Sequence, residues 1–290
     1  MTTVAEAWSG KTERDENFPV ASRLISARFR APILAFYRFA RAADDVADHA
    51  ALSPDEKVRL LDRFGEALRG GPPEPQAEPL RLALRERGLS SEHALDLLDA
   101  FRLDARKNRY ASWAELVDYC RMSAMPVGRF VLDVHEQSRA LWPASDDLCV
   151  ALQVNNHLQD CAADYRRLDR VYLPLDVLAA HGASVGMLGG PRAAPPLRAA
   201  IVELAERCEM LAKGSESLVS GIADVRLALE IGAVRTLALR IARLLQRRDP
   251  LSERVHLRKL EFILAAIPGI VRAFPRVALR GGREGRRVRA

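Results

Sequence analysis

The sequence predicts an all-α fold, built as a single helical bundle. Prolines interrupt helices, and here they leave four Pro-free windows that are each far longer than a typical strand. In the last window apolar residues recur at intervals of three and four, as on one buried helical face, and no comparable period-two alternation occurs. The windows span residues 33–53, 80–125, 144–173 and 197–249, and the apolar series is Leu197, Ile201, Leu204, Cys208 and Leu211.

Helix starts and loops are visible between these windows. Ser53-Pro54 precedes two acids, the pattern of an N-cap followed by a first helical turn. Two segments rich in Gly and Pro, residues 70–75 and 182–196, predict loops. We interpret both as loops within one bundle, because the candidate site draws on residues before the first loop and between the two.

The net charge of +6 lies in the C-terminal tail, where seven arginines from Arg272 onward face one acid, Glu284. Residues 276–290 contain no aromatic residue, which argues against binding to nucleic acid. We expect residues 1–275 to form one domain and residues 276–290 a flexible basic tail. The tail is either simply solvated or, behind the apolar segment 262–274, in contact with anionic lipid at the inner face of the plasma membrane.

Cysteine usage and the N-terminus indicate a cytoplasmic protein. The cysteines are widely spaced without a Cys-x-x-Cys pair, so neither a zinc site nor a disulfide framework is expected. The first 18 residues are polar and acidic, and no run of 18 apolar residues occurs, so we expect neither a signal peptide nor a membrane span. The four cysteines are Cys120, Cys149, Cys161 and Cys208.

Asp44 and Asp48 form the first candidate motif. Residues 36–48 contain good helix formers and no breaker, so the two carboxylates should lie one turn apart, with Cβ atoms about 6 Å from each other. Like charges at this spacing destabilise a helix slightly and favour a counter-charge, either a nearby arginine or a bound cation. The small apolar residues around them favour the cation over a solvated acidic face.

Asp160 and Asp164 repeat this spacing, and Asn156 lies one turn before them on the same helical stripe. Carboxylate, amide and water oxygens suit Mg²⁺, which commonly bridges protein acids to substrate phosphates. Further donors to phosphate oxygens follow in the chain: Arg166, Arg167, Arg170 and Tyr172. The sequence therefore predicts two acidic stripes that hold Mg²⁺ on both sides of a diphosphate.

Three segments, in this order, resemble the sequence blocks of the squalene and phytoene synthases: YRFARAADDVAD (37–48), DYCRMSAMPVGRF (118–130) and NHLQDCAADYRRLDRVYLP (156–174). The resemblance covers roughly residues 12–275, and the conjunction of the three blocks is far more specific than either acidic motif alone. It implies an all-α isoprenoid synthase bundle with a large central cavity, Mg²⁺ bound by both acidic motifs, and farnesyl-type or larger isoprenoid diphosphates as substrates.

The resemblance also implies roles for individual residues. The metal ligands would be Asp44, Asp48, Asn156, Asp160 and Asp164. The groups that bind the diphosphate would be Arg41, Asn156, Arg170 and Tyr172. Tyr37 and Tyr119 would border the reacting carbons, and Asp45 would flank the first motif.

Within this family the chain is most similar to a bacterial branch that converts presqualene diphosphate and water to hydroxysqualene, in squalene and hopanoid biosynthesis. The segments that carry this likeness are residues 16–22, 123–135 and 168–178. Asp169 stands where the family usually has a glycine before Arg-x-Tyr, which fits this branch better than a simple phytoene synthase. Transfer of the product to partner enzymes of the squalene pathway stays open.

Two alternatives to this function remain. One is a head-to-head synthase that condenses two farnesyl diphosphates; the other is a non-catalytic relative that acts as an assembly or binding module. Reduction by NADPH is not expected, because no Gly-rich nucleotide fingerprint follows a strand pattern.

Aromatic residues near the motifs have two interpretations. Four phenylalanines either line the cavity, where their ring faces would stabilise a cation, or belong to the core, which we favour for each. His157 is offset from the acidic stripe, so we do not expect it to act as the base. The phenylalanines are Phe36, Phe39, Phe101 and Phe130.

Overall fold

The computed structural model describes residues 25–256. Within this range there is no β-strand, and the only β-bridge is an isolated parallel one between Arg109 and Val171. The predicted all-α class is therefore confirmed. The helices of this part of the chain are α1 (Ala27–Asp48), α2 (Pro54–Leu68), α3 (Glu78–Arg87), α4 (Glu92–Asp104), α5 (Trp113–Ser123), α6 (Met125–Val134), α7 (Trp142–Leu168), α8 (Leu175–Ala180), α9 (Pro195–Gly214), α10 (Glu216–Gly221) and α11 (Val225–Leu245). Short 3₁₀ helices span Arg139–Leu141 and Val185–Gly189.

The first motif lies at the end of α1. This helix begins at Ala27, before the Pro-free window that starts at residue 33. Pro32 is inside α1. It has no N–H, so the carbonyl of Arg28, four residues earlier, loses its helical partner. The guanidinium of Arg87 on α3 donates a hydrogen bond to that carbonyl. A long-range contact thus satisfies the group that the proline leaves open.

The predicted helix start at Ser53 is confirmed. Ser53 Oγ accepts a hydrogen bond from the backbone N–H of Glu56 (3.4 Å), and Glu56 Oε2 accepts one from the backbone N–H of Ser53 (2.9 Å). This reciprocal capping box fixes the first turn of α2. The predicted loops also lie between helices, with the first joining α2 to α3 and the second α8 to α9.

The long window 80–125 holds most of α3 and all of α4 and α5, because residues other than proline end its helices. Gly88 adopts a left-handed conformation (φ 63°) after α3, which a residue with a side chain rarely does. Ser112 caps α5 by accepting from the N–H of Glu115 at 3.2 Å. α4 ends at Asp104, and α5 begins at Trp113.

Two adjoining clusters of apolar side chains form the core. One joins α1 to α2, α3 and α4 with the end of α6, and the other surrounds α7 with α5, α9 and α11. The ring of Phe36 stacks on Phe130 (centroids 4.1 Å apart), and Phe39 meets Phe64 edge to face. These phenylalanines belong to the core, as favoured, and Phe101 packs at its edge.

The face predicted for the last window is buried along α9. Leu197, Ile201, Leu204 and Cys208 are fully buried, whereas Leu211 at the end of the series is only half-buried. The four cysteines are free thiols. In the described range, none of the helices combines the length and apolarity that a bilayer span requires.

Several predictions fall outside the described residues. They are the similarity of residues 16–22, the apolar segment 262–274, the domain limit at 275 and the basic tail 276–290.

Candidate active site

The last two turns of α1 carry three acids against one arginine. Arg41 Nη1 donates to Asp44 Oδ2 at 2.5 Å, and its Nη2 donates to Asp45 Oδ1 at 3.0 Å. Burial, and next the negative charge of Asp48, raise the pKa of Asp44 to about 7 despite Arg41. Arg41 thus supplies one of the two counter-charges considered for this motif. Negative charge remains in excess, so a bound cation could supply the other.

The second motif lies where the sequence predicts it, on the C-terminal half of α7. Asn156 and Asp164 are half-buried, and Asp160 is exposed. Burial and the neighbouring charge of Asp160 raise the pKa of Asp164 to about 7, and the charge of Asp48 adds to this increase. An acid of α1 thus acts electrostatically on an acid of α7, so the two motifs lie close to each other.

Arg170 connects the motifs. Its Nη1 donates to Asp48 Oδ1 at 2.8 Å, and its positive charge lowers the pKa of Asp164, against the larger effect of burial. The Arg170 side chain is buried, yet its Nε has no hydrogen-bond partner among residues 25–256. A buried guanidinium with one open donor is well suited to an anionic oxygen.

The turn after α7 delivers Arg170 to this position. Asp169 ends the helix in a left-handed conformation (φ 49°). Glycine adopts this conformation without steric cost, and Asp is one of the few other residues that adopt it. Arg109 Nη2 holds the Asp169 carboxylate at 2.5 Å. The unusual Asp169 thus has a structural explanation: it makes the turn that glycine would make, and it binds Arg109 in the loop between α4 and α5.

A buried cluster around Asp104 was not foreseen from the sequence. Tyr119 Oη donates to Asp104 Oδ2 at 2.7 Å, and Tyr172 Oη donates to Asp104 Oδ1 at 3.0 Å. Burial raises the pKa of Asp104 to about 6, although the charge of Arg170 and both phenols oppose this. The two tyrosines predicted to serve different roles therefore share one carboxylate.

His157 contacts this cluster rather than the acidic stripe. Its ring stacks on Tyr172 with centroids 3.5 Å apart, and its Nε2 lies 3.1 Å from Nε2 of Gln153. Burial, and next the charge of Arg170, lower the pKa of His157 to about 3. His157 is therefore neutral at physiological pH.

The remaining predicted residue, Tyr37, is half-buried on α1, two turns before Asp44. Asp104 was missed because its partners lie 15 and 68 residues away in the chain. An acid at the end of an amphipathic helix ordinarily indicates only a solvated terminus. No local sequence pattern therefore predicts that Asp104 is buried.

The donor set fits Mg²⁺ as a bridging ion. Among residues 25–256, no three His, Cys, Asp or Glu side chains converge as a ready-made metal site. Mg²⁺, however, is commonly held by one or two carboxylates together with substrate phosphates and water. A cation would also relieve the repulsion that raises the pKa values of Asp44 and Asp164.

A groove of about 490 Å³ opens beside Asp160. It is formed by α7 and by residues 250–256, whose backbone accepts a hydrogen bond at Val255 from Gln159. A larger groove, about 700 Å³, lies along α9 beside His181 and is lined by none of the predicted site residues. We relate only the first to the candidate site. The large central cavity stays a prediction.

Both the sequence and the fold match known proteins. The squalene/phytoene synthase family matches residues 11–261. A hydroxysqualene synthase of Rhodopseudomonas palustris is 54% identical over 267 residues, which cover 92% of this chain and 91% of the relative. A crystal structure of a squalene synthase of Alicyclobacillus acidocaldarius is 31% identical, with a TM-score of 0.73 over 84% of this chain and 92% of that one.

A dehydrosqualene synthase structure, 20% identical, has a TM-score of 0.79 over 92% of this chain and 94% of that one, and it supports the fold alone. The match to the family model extends over most of the sequence and includes both acidic motifs, Arg170 and the tyrosines. The chain belongs to the squalene/phytoene synthase family.

Proposed function

We propose that the protein is a Mg²⁺-dependent enzyme that converts presqualene diphosphate and water to hydroxysqualene and diphosphate, in squalene or hopanoid biosynthesis. The observation that carries the proposal is the convergence of both acidic motifs on buried Arg170, with an open Nε donor. Identity of 54% over 92% of the chain to a relative named hydroxysqualene synthase supports this choice of substrate.

The reaction begins when the carbon–oxygen bond to diphosphate breaks and both electrons leave on the diphosphate. Mg²⁺, held by Asp44, Asp48, Asn156, Asp160 and Asp164, would supply the positive charge that stabilises this leaving group. Arg170 would bind a diphosphate oxygen through Nε, which it can do without releasing Asp48 because its fork offers several donors. Arg41 would act similarly from α1.

The second half of the reaction is capture of the rearranged carbocation by water. A lone pair of water forms the new carbon–oxygen bond, and the released diphosphate takes the proton, so that atoms and charge balance. Tyr37 and Tyr119 would border the reacting carbons. The apolar chains of the substrate would gain about 0.8 kcal/mol for each buried CH₂, so binding requires few polar contacts beyond the diphosphate.

The main alternative is condensation of two farnesyl diphosphates, which is favoured by the 31% identity to a protein named squalene synthase. Purified protein with Mg²⁺ would be given either farnesyl diphosphate or presqualene diphosphate, and the lipids identified by mass spectrometry. We expect hydroxysqualene from presqualene diphosphate only. Consumption of farnesyl diphosphate alone would establish the condensing reaction instead.

We also propose that the enzyme acts in the cytoplasm as one domain, residues 1–275, and that its basic tail rests on anionic lipid. There it would receive its substrate and release a lipid product to partner enzymes of the pathway. Sedimentation with phosphatidylglycerol vesicles would compare the full chain with a chain ending at 275. Equal sedimentation of the two would contradict a role of the tail.

A further inference from the structure

Asp104 lies at the end of α4, with its carboxylate inside the protein. Its side chain is buried, and two hydroxyl groups from different parts of the chain bind its two oxygens. Tyr119 belongs to α5, and Tyr172 follows the turn after α7. One carboxylate therefore fixes the positions of two tyrosines that the fold brings from opposite sides.

A buried carboxylate is costly unless its oxygens are hydrogen-bonded. No guanidinium or ammonium group of the described residues forms a salt bridge with Asp104; Arg170 Nη2 reaches only its backbone carbonyl, at 3.3 Å. Packing alone would be served at lower cost by an apolar residue of similar size. Asp104 is nevertheless an acid, and its backbone contacts Arg170, which pairs with Asp48. This position indicates a role in the reaction.

The hydrogen bonds also determine which way each phenol can act. A tyrosine hydroxyl has one hydrogen to donate and oxygen lone pairs that accept. At Tyr119 and Tyr172 that hydrogen is directed to Asp104, and the two phenols also lie within hydrogen-bonding reach of each other. Towards any other group, each phenol oxygen then offers lone pairs, which attract positive charge and accept hydrogen bonds from water.

We propose that Asp104 is a positioning residue, which directs the hydroxyl hydrogens of Tyr119 and Tyr172 so that their oxygens face the carbocation and its capturing water as acceptors only. A water that donates to such an oxygen turns its own lone pair away from the phenol and towards the cation. This inference rests on the proposed function, and it specifies which residues favour the alcohol as product.

The test is Asp104→Asn, which preserves shape but introduces a donor. An asparagine must donate to one of the two phenols, whose hydrogen then points away from position 104. With presqualene diphosphate and Mg²⁺, we expect kcat to fall by roughly 30-fold or more, as on loss of a preorganised polar group, with KM within threefold. The fraction of hydroxysqualene among the products falls in favour of hydrocarbons formed by proton loss.

Glu74→Gln is the matched control, because Glu74 is also a buried acid but pairs with Arg63, away from the site. It should change neither kcat nor the product ratio. Wild-type kcat and products in Asp104→Asn would overturn the inference. If the wild-type protein itself does not consume presqualene diphosphate, the proposed function fails, and the two failures are thus distinguished.

A double-mutant cycle separates positioning from a structural effect. If Asp104 acts through Tyr119, then Tyr119→Phe combined with Asp104→Asn should lower kcat little more than the stronger single change. If the factor by which kcat falls in the double variant equals the product of the two single factors, the inference is contradicted. If Asp104→Asn does not fold, Tyr172→Phe is tested instead: we expect a smaller share of hydroxysqualene among the products, and an unchanged share overturns the inference.

Discussion

Arg170 Nη1 lies 2.8 Å from Asp48 Oδ1, and this ion pair ties the turn after α7 to the end of α1 across the candidate site. Lysine at 170 keeps the charge but cannot also reach the carbonyl of Asp104, because it lacks the guanidinium fork. For Arg170→Lys we expect kcat/KM for presqualene diphosphate to fall by about 10- to 100-fold, the equivalent of one charged hydrogen bond. Arg207→Lys on α9 is the control, and equal rates for both variants would contradict the role of Arg170.

The acids of α7 provide the second prediction. Asp160→Ala with Asp164→Ala should lower turnover by at least ~10³-fold, since several kcal/mol of stabilisation of the leaving group is lost. Far-ultraviolet circular dichroism should show the same helicity, because neither side chain is part of the core. Asp147→Asn, on the same helix about 20 Å from Asp160 and about 25 Å from Asp164, should retain activity. Surviving turnover in the double variant would remove the basis for metal binding here.

The left-handed turn at Asp169 predicts an order of stability. Asp169→Gly relieves the positive φ of 49° but loses Arg109, so the free energy of unfolding should stay within about 0.5 kcal/mol of the wild type. Asp169→Val should lower it by about 1 to 2 kcal/mol, because a β-branched residue is disfavoured there. Urea denaturation measures both. Equal values for the Gly and Val variants would show that the turn carries no strain.

Glu209 predicts a pH dependence that is remote from the site. Hydrogen bonds from Gln246, the residue after α11, and from Lys213, together with the Arg243 guanidinium, lower the pKa of Glu209 to about 2. Since the folded pKa is below the unfolded value of 4.5, the stabilisation is complete above pH 4.5 and is lost as the pH falls towards 2. Glu209→Gln should therefore be less stable than the wild type at pH 7, by about 1 kcal/mol or more, and the difference should be smaller at pH 3.5. Urea midpoints at both pH values provide the measurement, and a constant difference would contradict the pairing.

Local features of the fold were predictable because they depend on neighbouring residues. Ser53 is the expected N-cap of α2, and the aspartates of α7 lie on the expected stripe. The start of α1 was not predictable from proline positions, because the carbonyl that Pro32 leaves open is satisfied from α3, far along the chain. A sequence pattern indicates the hydrogen bond that Pro32 removes, but not the hydrogen bond from Arg87 that replaces it.

The site shows the same division. Spacing and family resemblance predicted the acids and Arg170 as site residues. The network of Asp104 could be seen only in the fold, since its donors come from α5 and from the segment after α7. The position of Asp169 was noted as unusual, but only its φ and its contact with Arg109 explain it. Long-range partners, not residue types, are what the sequence left undetermined.

The most direct test of the proposed reaction follows one oxygen atom. The purified full chain would be incubated with Mg²⁺ and presqualene diphosphate in water enriched in ¹⁸O, and the lipid product and diphosphate analysed by mass spectrometry. Ionisation followed by capture predicts hydroxysqualene with one ¹⁸O and diphosphate without the label. Unlabelled alcohol with labelled diphosphate would show attack at phosphorus, and a hydrocarbon as the main product would show that water does not capture the cation; either result would contradict the proposed function.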